Sequence, residues 1–340
     1  MQQEPAEAAP YRVLSFYKFC WLSEAERETL MAWLRSRCTE LNLLGRLYVA
    51  HEGLNGTLCG APAASAAFQE ALHGYPGFQE VLFKEEPAWE PAFYKLIVRK
   101  KREIVAFRAP QPVDPVHNAG EHVPPEELQR ILEDPPEDVV LFDARSSYEY
   151  AVGHFTGALH LDVENFRELP ERLEALAPYR DKTIITYCTG GIKCEKLTAY
   201  MKQAGFADVR QLQGGIQHYA AVTGGENFAG KCYVFDRRTV IPVNRVNPSV
   251  VGRCHVCNQP GEWAVNCANK ACHDRVLLCE SCAEVYQGSC SVECYHAPDR
   301  RPWNGTGRYE RITSGYFTGT APLQKRGKAP TLPVTAPEEG

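Results

Sequence analysis

The 340 residues of this chain suffice for two or three domains, each able to bury its own core. With 44% hydrophobic and 23% charged residues it has the composition of an ordinary soluble protein; no stretch approaches the roughly eighteen apolar residues of a membrane span, and Met1-Gln2-Gln3-Glu4-Pro5 lacks the basic and apolar regions of a signal peptide, so a cytoplasmic location without a membrane partner is expected. The formal charge of −5 excludes a globally basic nucleic-acid binder and leaves room only for a local basic patch.

Residues 1–10 are polar and expected to be disordered. From Tyr11 the pattern predicts a strand over Val13–Phe19, then a helix opened by the capping box Ser23-x-x-Glu26, with Leu30, Met31, Trp33 and Leu34 facing inward. Strands at Arg46–Ala50 and Thr57–Cys59 are joined by His51-Glu52-Gly53-Leu54-Asn55-Gly56, whose Asn-Gly and extra glycine are turn chemistry. A helix near Ala64–Leu72 follows, then strands at Val81–Phe83 and Tyr94–Phe107, which completes a β-α-β-β-α-β, ferredoxin-like order over residues 11–108. His51, Glu52 and Asn55 form either a tight turn or a polar binding loop. Lys95, Arg99, Lys100, Lys101 and Arg102 make the densest basic cluster, read either as a solvated strand edge or as an RNA contact.

Pro110-Gln111-Pro112-Val113-Asp114-Pro115 places a linker over residues 109–122. Over residues 123–226, strands at Val139–Phe142, Ala158–Leu161, Thr183–Tyr187 and Val209–Leu212 alternate with helices at Pro125–Leu132, Pro170–Leu176 and Cys194–Ala204, which predicts a parallel sheet covered on both faces. Cys188 then ends a strand, where open α/β sheets place their ligand sites. In Cys188-Thr189-Gly190-Gly191-Ile192-Lys193-Cys194 the glycines let the loop curl until its amides point inward, and the helix that follows adds the partial positive charge of its N-terminus. Such settings lower a thiol from about 8.5 to roughly 3.5–7.5. The alternative is a small buried apolar cysteine.

Asp143-Ala144-Arg145, Glu149, Gly153-His154 and Gly157-Ala158, followed by the Cys188 loop and then by Gly205-Phe206-Ala207-Asp208-Val209, Leu212, Gly214-Gly215-Ile216 and Tyr219, resemble the rhodanese domain in content and order. The resemblance implies a reactive Cys188 supported by Asp143, Arg145 and His154. The loop has the six-position form ending at Lys193, which fits a sulfur-sized adduct better than a phosphoester.

Eight of the fourteen cysteines fall between Cys254 and Cys294, inside the next region, 227–320, as Cys254/Cys257, Cys267/Cys272, Cys279/Cys282 and Cys290/Cys294. The spacings suit two tetrahedral zinc–thiolate sites of structural type, paired sequentially or interleaved, with His255, His273 or His296 as possible substitutes. Without a secretory signal a disulfide framework is the weaker reading. Arg300 and Arg301 follow as further candidate RNA contacts, and a Pro/Lys/Thr tail over 321–340 is expected to be disordered.

The ferredoxin-like unit with Glu52-Gly53-Leu54-Asn55-Gly56-Thr57, the rhodanese-like unit with the Cys188 loop, and the cysteine-rich region together resemble the oxygen-dependent tRNA uridine hydroxylase family over nearly all of residues 11–295. The resemblance implies C5 hydroxylation of the wobble uridine to 5-hydroxyuridine, Cys188 as catalytic residue, tRNA as partner and O2 as co-substrate. The residues name no electron donor: the chain has neither a Rossmann glycine fingerprint nor a plain His/carboxylate iron triad. Lys193 departs from the arginine usual at the sixth loop position, keeping the charge and losing the planar fork of donors. A sulfurtransferase or persulfide carrier is the alternative reading, and a non-catalytic zinc-containing RNA-binding protein the third.

Overall fold

The computed structural model describes residues 9–272, 274–303 and 305; the tail over 321–340 and His273 lie outside them. The chain divides after Gly252 into two compact units. No helix among the described residues is long and apolar enough to cross a membrane.

The first unit begins with β1 (Tyr11–Phe19), α1 (Glu24–Glu40), β2 (Leu44–Ala50), β3 (Gly53–Gly60), α2 (Pro62–His73), β4 (Lys84–Ala88) and β5 (Leu96–Lys100). Their sheet runs β4-β1-β3-β2-β5; the first four strands are antiparallel in the ferredoxin-like order, and β5 adds a parallel edge beside β2. The Ser23/Glu26 capping box is present, and α1 buries Leu30, Met31, Leu34 and Cys38. These side chains meet Leu14, Phe16, Leu47 and Phe68 in one core.

Three expectations need correction. The β2–β3 turn contains only His51 and Glu52, because Gly53 enters the ladder at φ +132, where a Cβ would strike the Lys18 carbonyl oxygen at 2.0 Å. Val81–Phe83 is not a strand. The strand is the polar Lys84–Ala88, a sheet edge that tolerates Pro87. The last strand stops at Lys100, since its partner β2 ends at Ala50.

Residues 109–122 contain α3 (Pro115–Asn118) and open β6 (Glu121–Val123). Then come α4 (Pro125–Glu133), β7 (Val139–Asp143), α5 (Ser147–Val152), β8 (Gly153–Phe155), β9 (Leu159–His160), α6 (Leu169–Arg172), β10 (Thr183–Tyr187), α7 (Ile192–Gln203), β11 (Asp208–Leu212), α8 (Gly215–Thr223), β12 (Phe228–Tyr233) and β13 (Val240–Pro242). The expected helix over Pro170–Leu176 is instead α6 running into a 3-10 segment that contains Pro178, whose ring and missing N–H disfavour an α continuation. The main sheet is parallel, ordered β6-β11-β10-β7-β9, and β8, β12 and β13 form a smaller antiparallel sheet. One core holds Phe142, Ile184, Leu197 and Met201, the other Ile185, Tyr187, Leu212 and Tyr219, so β10 is covered on both faces.

Glu52 accepts the Ile104 amide at 2.7 Å and pairs with Lys196 of α7 at 2.8 Å, while Glu103 pairs with the same ammonium at 2.7 Å. Lys196 is only 3% exposed, so this triad, centred on a buried ammonium, ties the ferredoxin-like sheet to α7. Asn55 donates to the Ile104 carbonyl and His51 stacks on Trp21. The contacts of Glu52 and Asn55 therefore join elements within the unit.

The second unit carries a hairpin, β14 (Trp263–Asn266) with β15 (Arg275–Leu278), followed by α9 (Glu280–Val285) and α10 (Val292–Tyr295). Its core is small, with Cys254, Val265, Leu278 and Ala283 in one cluster and Cys267, Cys290 and Cys294 in another.

Candidate active site and metal centres

Cys188 lies just past the carboxyl end of β10, the middle strand of the parallel sheet, and α7 begins four residues later. Gly191, at φ +95, makes the turn between them and donates its N–H to Cys188 Sγ at 3.2 Å. Helix α8 backs the loop: Ile216 and Gln217 donate their amides to the carbonyls of Cys188 and Thr189 at 3.0 and 3.1 Å. Gly215, at φ +67, permits this approach, since a Cβ there would lie 2.4 Å from the Cys188 oxygen. Burial pushes the Cys188 thiol up, but a hydrogen bond from Cys194, the charge of Lys193 and the amides of Lys193 and Gly190 outweigh it and bring the thiol down to about 6. Burial and the neighbouring Cys188 push Cys194 well above the usual thiol range, so Cys188 is the anion of the pair and Cys194 its donor. Cys194, expected to be the first helical residue, is the third, because Ile192 and Lys193 already have helical conformation.

The other loop side chains anchor the loop. Thr189 Oγ1 donates to the Tyr233 carbonyl at 3.3 Å, and Ile192 packs against Phe19, Ala50 and Ile104 of the ferredoxin-like part. Lys193 Nζ donates to Glu149 Oε2 at 2.7 Å. Asp143 and Arg145 form a fully buried pair at 2.6 Å, and Arg145 also donates to the Gly153 carbonyl at 2.7 Å. His154 stacks on Tyr150, with ring centroids 3.9 Å apart, and its Nδ1 meets the Tyr150 carbonyl. Asp143 and Arg145 thus brace β7 beside the loop strand, with the Arg145 guanidinium against the Tyr187 ring of β10, while His154 stays against α5; among the described residues none of the three contacts Cys188.

Sequence reasoning missed a polar group facing the loop from other elements. Tyr17 of β1 donates to Glu195 Oε1 at 2.8 Å; His122 Nε2 lies 3.0 Å from the same oxygen, and Gln211 donates to Oε2 at 2.8 Å. A hydrogen bond donated to Glu195 raises His122 above the ordinary imidazole value. Tyr17, His122 and Glu195 line a cavity of about 310 Å³, bordered also by Lys18, Glu80 and Gly214. Lys84 of β4 lies over the Tyr17 ring beside Gly190. No local motif marks these residues: β6, α7 and β11 bring His122, Glu195 and Gln211 together, and the seating of the ferredoxin-like sheet against α7 adds Tyr17 and Lys84.

Lys95, Arg99, Lys100, Lys101 and Arg102 are all exposed. Lys100 is paired with Glu24 and Glu28, and Lys101 lies over the Tyr48 ring. Arg301 donates to the Cys267 carbonyl at 2.8 Å and Arg300 lies over the Tyr295 ring, so both are engaged within their own unit.

In the second unit the cysteine pairs interleave. Cys254, Cys257, Cys279 and Cys282 form one group and Cys267, Cys272, Cys290 and Cys294 the other, with all sulfurs of a group within 4.8 Å of one another. Neither His255 nor His296 belongs to a group, and no disulfide is formed. The Cys257–Cys279 and Cys272–Cys290 sulfurs are 3.6 Å apart and Cys290–Cys294 3.7 Å. A tetrahedron with Zn–S bonds of about 2.3 Å has edges of about 3.8 Å, so four-thiolate zinc fits both groups. The Cys290 amide donates to Cys267 Sγ and Asn269 to Cys294 Sγ, orienting ligands as outer partners of metal sites do.

Three family models match in succession: a UPF0176 acylphosphatase-like domain over residues 11–104, a rhodanese-like domain over 124–221 and a rhodanese C-terminal domain over 229–295. A tRNA uridine(34) hydroxylase of Cytophaga hutchinsonii is 43% identical over 306 residues, which are 90% of this chain and 96% of that protein. The proteins of the same name from Enterococcus faecalis and Bacillus velezensis are 41% and 40% identical, covering 86% and 84% of this chain and 92% and 88% of theirs. On these matches, which run through all three regions, the chain belongs to the tRNA uridine(34) hydroxylase family.

Proposed function

We propose that this protein is an enzyme that hydroxylates the wobble uridine of tRNA to 5-hydroxyuridine, with Cys188 as its nucleophile and O2 as the oxygen source. The observation that carries the reading is the amide-lined Cys188 thiolate, held at about 6 in a chain that spans 96% of a hydroxylase relative. The thiolate adds to C6 of the uracil ring; an S–C6 bond forms and the C5=C6 electron pair moves toward C5 and the C4 oxygen. Oxygen enters at the electron-rich C5, the C5 proton leaves, and expulsion of the thiolate restores the double bond. The net change is uridine plus O2, two electrons and two protons to 5-hydroxyuridine and water, so the reaction requires a two-electron donor. The anticodon base reaches the loop unstacked, with phosphates held by exposed Lys and Arg. A tRNA substrate supports a cytoplasmic location, and the two four-cysteine groups hold zinc as structural ions that complete a unit with little apolar core.

The test is mass spectrometry of nucleosides from tRNA incubated under 18O2 with wild type and Cys188→Ser in a cell extract that supplies the two-electron donor. Incorporation of one 18O into uridine that needs Cys188 supports the reading. No incorporation, together with loading of Cys188 by thiosulfate sulfur, replaces it with sulfur transfer.

A further inference from the structure

Lys84 opens the polar edge strand β4 and yet is 4% exposed. Its strand neighbour Glu85 is occupied by Arg12 and Gln69. The Lys84 ammonium lies 4.8 Å from the centroid of the Tyr17 ring. A methyl group placed on Gly190 would sit 3.7 Å from Lys84 Cε and 4.0 Å from Nζ, so this side chain reaches the middle of the Cys188 loop from a different part of the fold. One ring face returns less than the burial of an ammonium costs, so a further anion is needed to account for its position.

The carboxylates nearby are already engaged. Glu195 accepts from Tyr17, His122 and Gln211, and Glu149 accepts from Lys193. Lys84 is in no carboxylate ion pair among the described residues, and the anion left over is Cys188 itself. We propose that Lys84 is a positioning residue of the Cys188 site, a cation supplied by the ferredoxin-like sheet that holds the thiolate charge together with Lys193. For the role of the thiolate in catalysis this rests on the hydroxylase reading; the effect on the thiol does not.

Burial draws Lys84 down to about 8 while Cys188 and Glu195 push it up, so at neutral pH the ammonium is still mostly charged. The groups that set the charge around the pair come from every neighbouring element: Tyr17 on β1, Lys193, Cys194 and Glu195 on α7, Glu149 on α5 and His218 on α8. Only Lys84 and Lys193 among them bring a fixed positive charge, and Lys193 shares its own with Glu149. The arrangement makes the nucleophile dependent on the seating of the ferredoxin-like sheet, because a rhodanese-like loop alone has no counterpart of Lys84.

The experiment is peptide-resolved alkylation of Cys188 by iodoacetamide across pH in wild type, Lys84→Met and Lys84→Arg of the full chain. Lys84→Met is expected to raise the alkylation midpoint by about one pH unit, a tenfold loss of thiolate at low pH, and Lys84→Arg to return it toward wild type. An unchanged midpoint in Lys84→Met, or equal shifts in both variants, overturns the proposal. Cys38, buried in the ferredoxin-like core, reports folding in the same digest; if Lys84→Met exposes it, Lys84→Gln takes its place in the comparison. Hydroxylation of tRNA by wild type is read in parallel. A shifted midpoint without oxygen gain keeps Lys84 and discards the hydroxylase, and the reverse discards Lys84 alone.

Discussion

Lys193 Nζ meets Glu149 Oε2 at 2.7 Å, and Glu149 is fully buried with its second oxygen lacking a partner among the described residues. The sixth loop position therefore both neutralises a buried carboxylate and lends its charge to Cys188. Lys193→Ala strands Glu149 and is expected to cost about 3–5 kcal/mol of stability. Lys193→Arg presents a planar fork that can serve both Glu149 oxygens, so its melting temperature is expected at or above that of wild type. Calorimetry of the two variants checks both outcomes, and a destabilised Lys193→Arg would show that the fork has no room.

In the proposed reaction the depressed Cys188 thiol sets the acid limb of activity. If the thiolate is the nucleophile, it is present above the folded value of about 6, and kcat/KM for tRNA is expected to rise tenfold per pH unit below it and to level off above. Cys194→Ala removes the thiol that donates to Cys188, moving that limb toward higher pH. A limb that stays in place would remove Cys194 from the loop's hydrogen bonding.

Asp143 and Arg145 give a different pH signature. Burial alone would raise the Asp143 carboxyl, and the charge and hydrogen bonds of Arg145 outweigh that and lower it. A carboxyl whose folded value is depressed contributes stability in full above its unfolded value of about 3.9, and the contribution is lost as pH falls through the folded value. Asp143→Asn is expected to destabilise by about 3–5 kcal/mol at neutral pH, since it leaves a buried guanidinium without its anion. The gap to wild type narrows as pH drops below 4, which chemical denaturation at two pH values measures.

What was legible in the sequence had local carriers. The Ser23/Glu26 cap, the apolar-rich run of β1, and the Cys188-to-Cys194 loop each state their structure within a few residues. The strand Lys84–Ala88 was missed because its edge position allows three charged residues and a proline, the opposite of a strand signature. Tyr17, Glu195 and His122 were missed for another reason: each is ordinary in its own segment, and they meet only across 178 and 73 residues of chain. The pairing of cysteines was equally closed to spacing, since adjacent pairs and alternate pairs have identical sequences; the β14–β15 hairpin decides it by setting Cys254 and Cys257 beside Cys279 and Cys282.

Interleaved groups predict linked failure. Each group draws on both halves of the region, so Cys272→Ser is expected to lower bound zinc from about two ions to about one and to loosen Cys290 and Cys294 with it. Elemental analysis gives the stoichiometry, and a chelator is expected to expose this unit to protease because its apolar core is small. Full resistance without metal would mean that the thiols carry no structural ion.

Lys100 is the residue at the centre of the basic cluster and the one already satisfied, by Glu24 and Glu28. Lys95, Arg99 and Arg102 are exposed. Phosphate contact costs an exposed cation little and a paired one its partners, so the free three are expected to do the binding. Replacing Lys95, Arg99 and Arg102 by Ala is expected to weaken tRNA binding and reduce the slope of log K against log salt by about 2, near 0.7 per contact on single-stranded RNA. Lys100→Ala is expected to change the slope by well under one contact. Equal slopes for wild type and the triple variant would place the phosphates elsewhere on the molecule, and a larger effect from Lys100 than from the other three would mean that the Glu24 and Glu28 pairs open when tRNA binds.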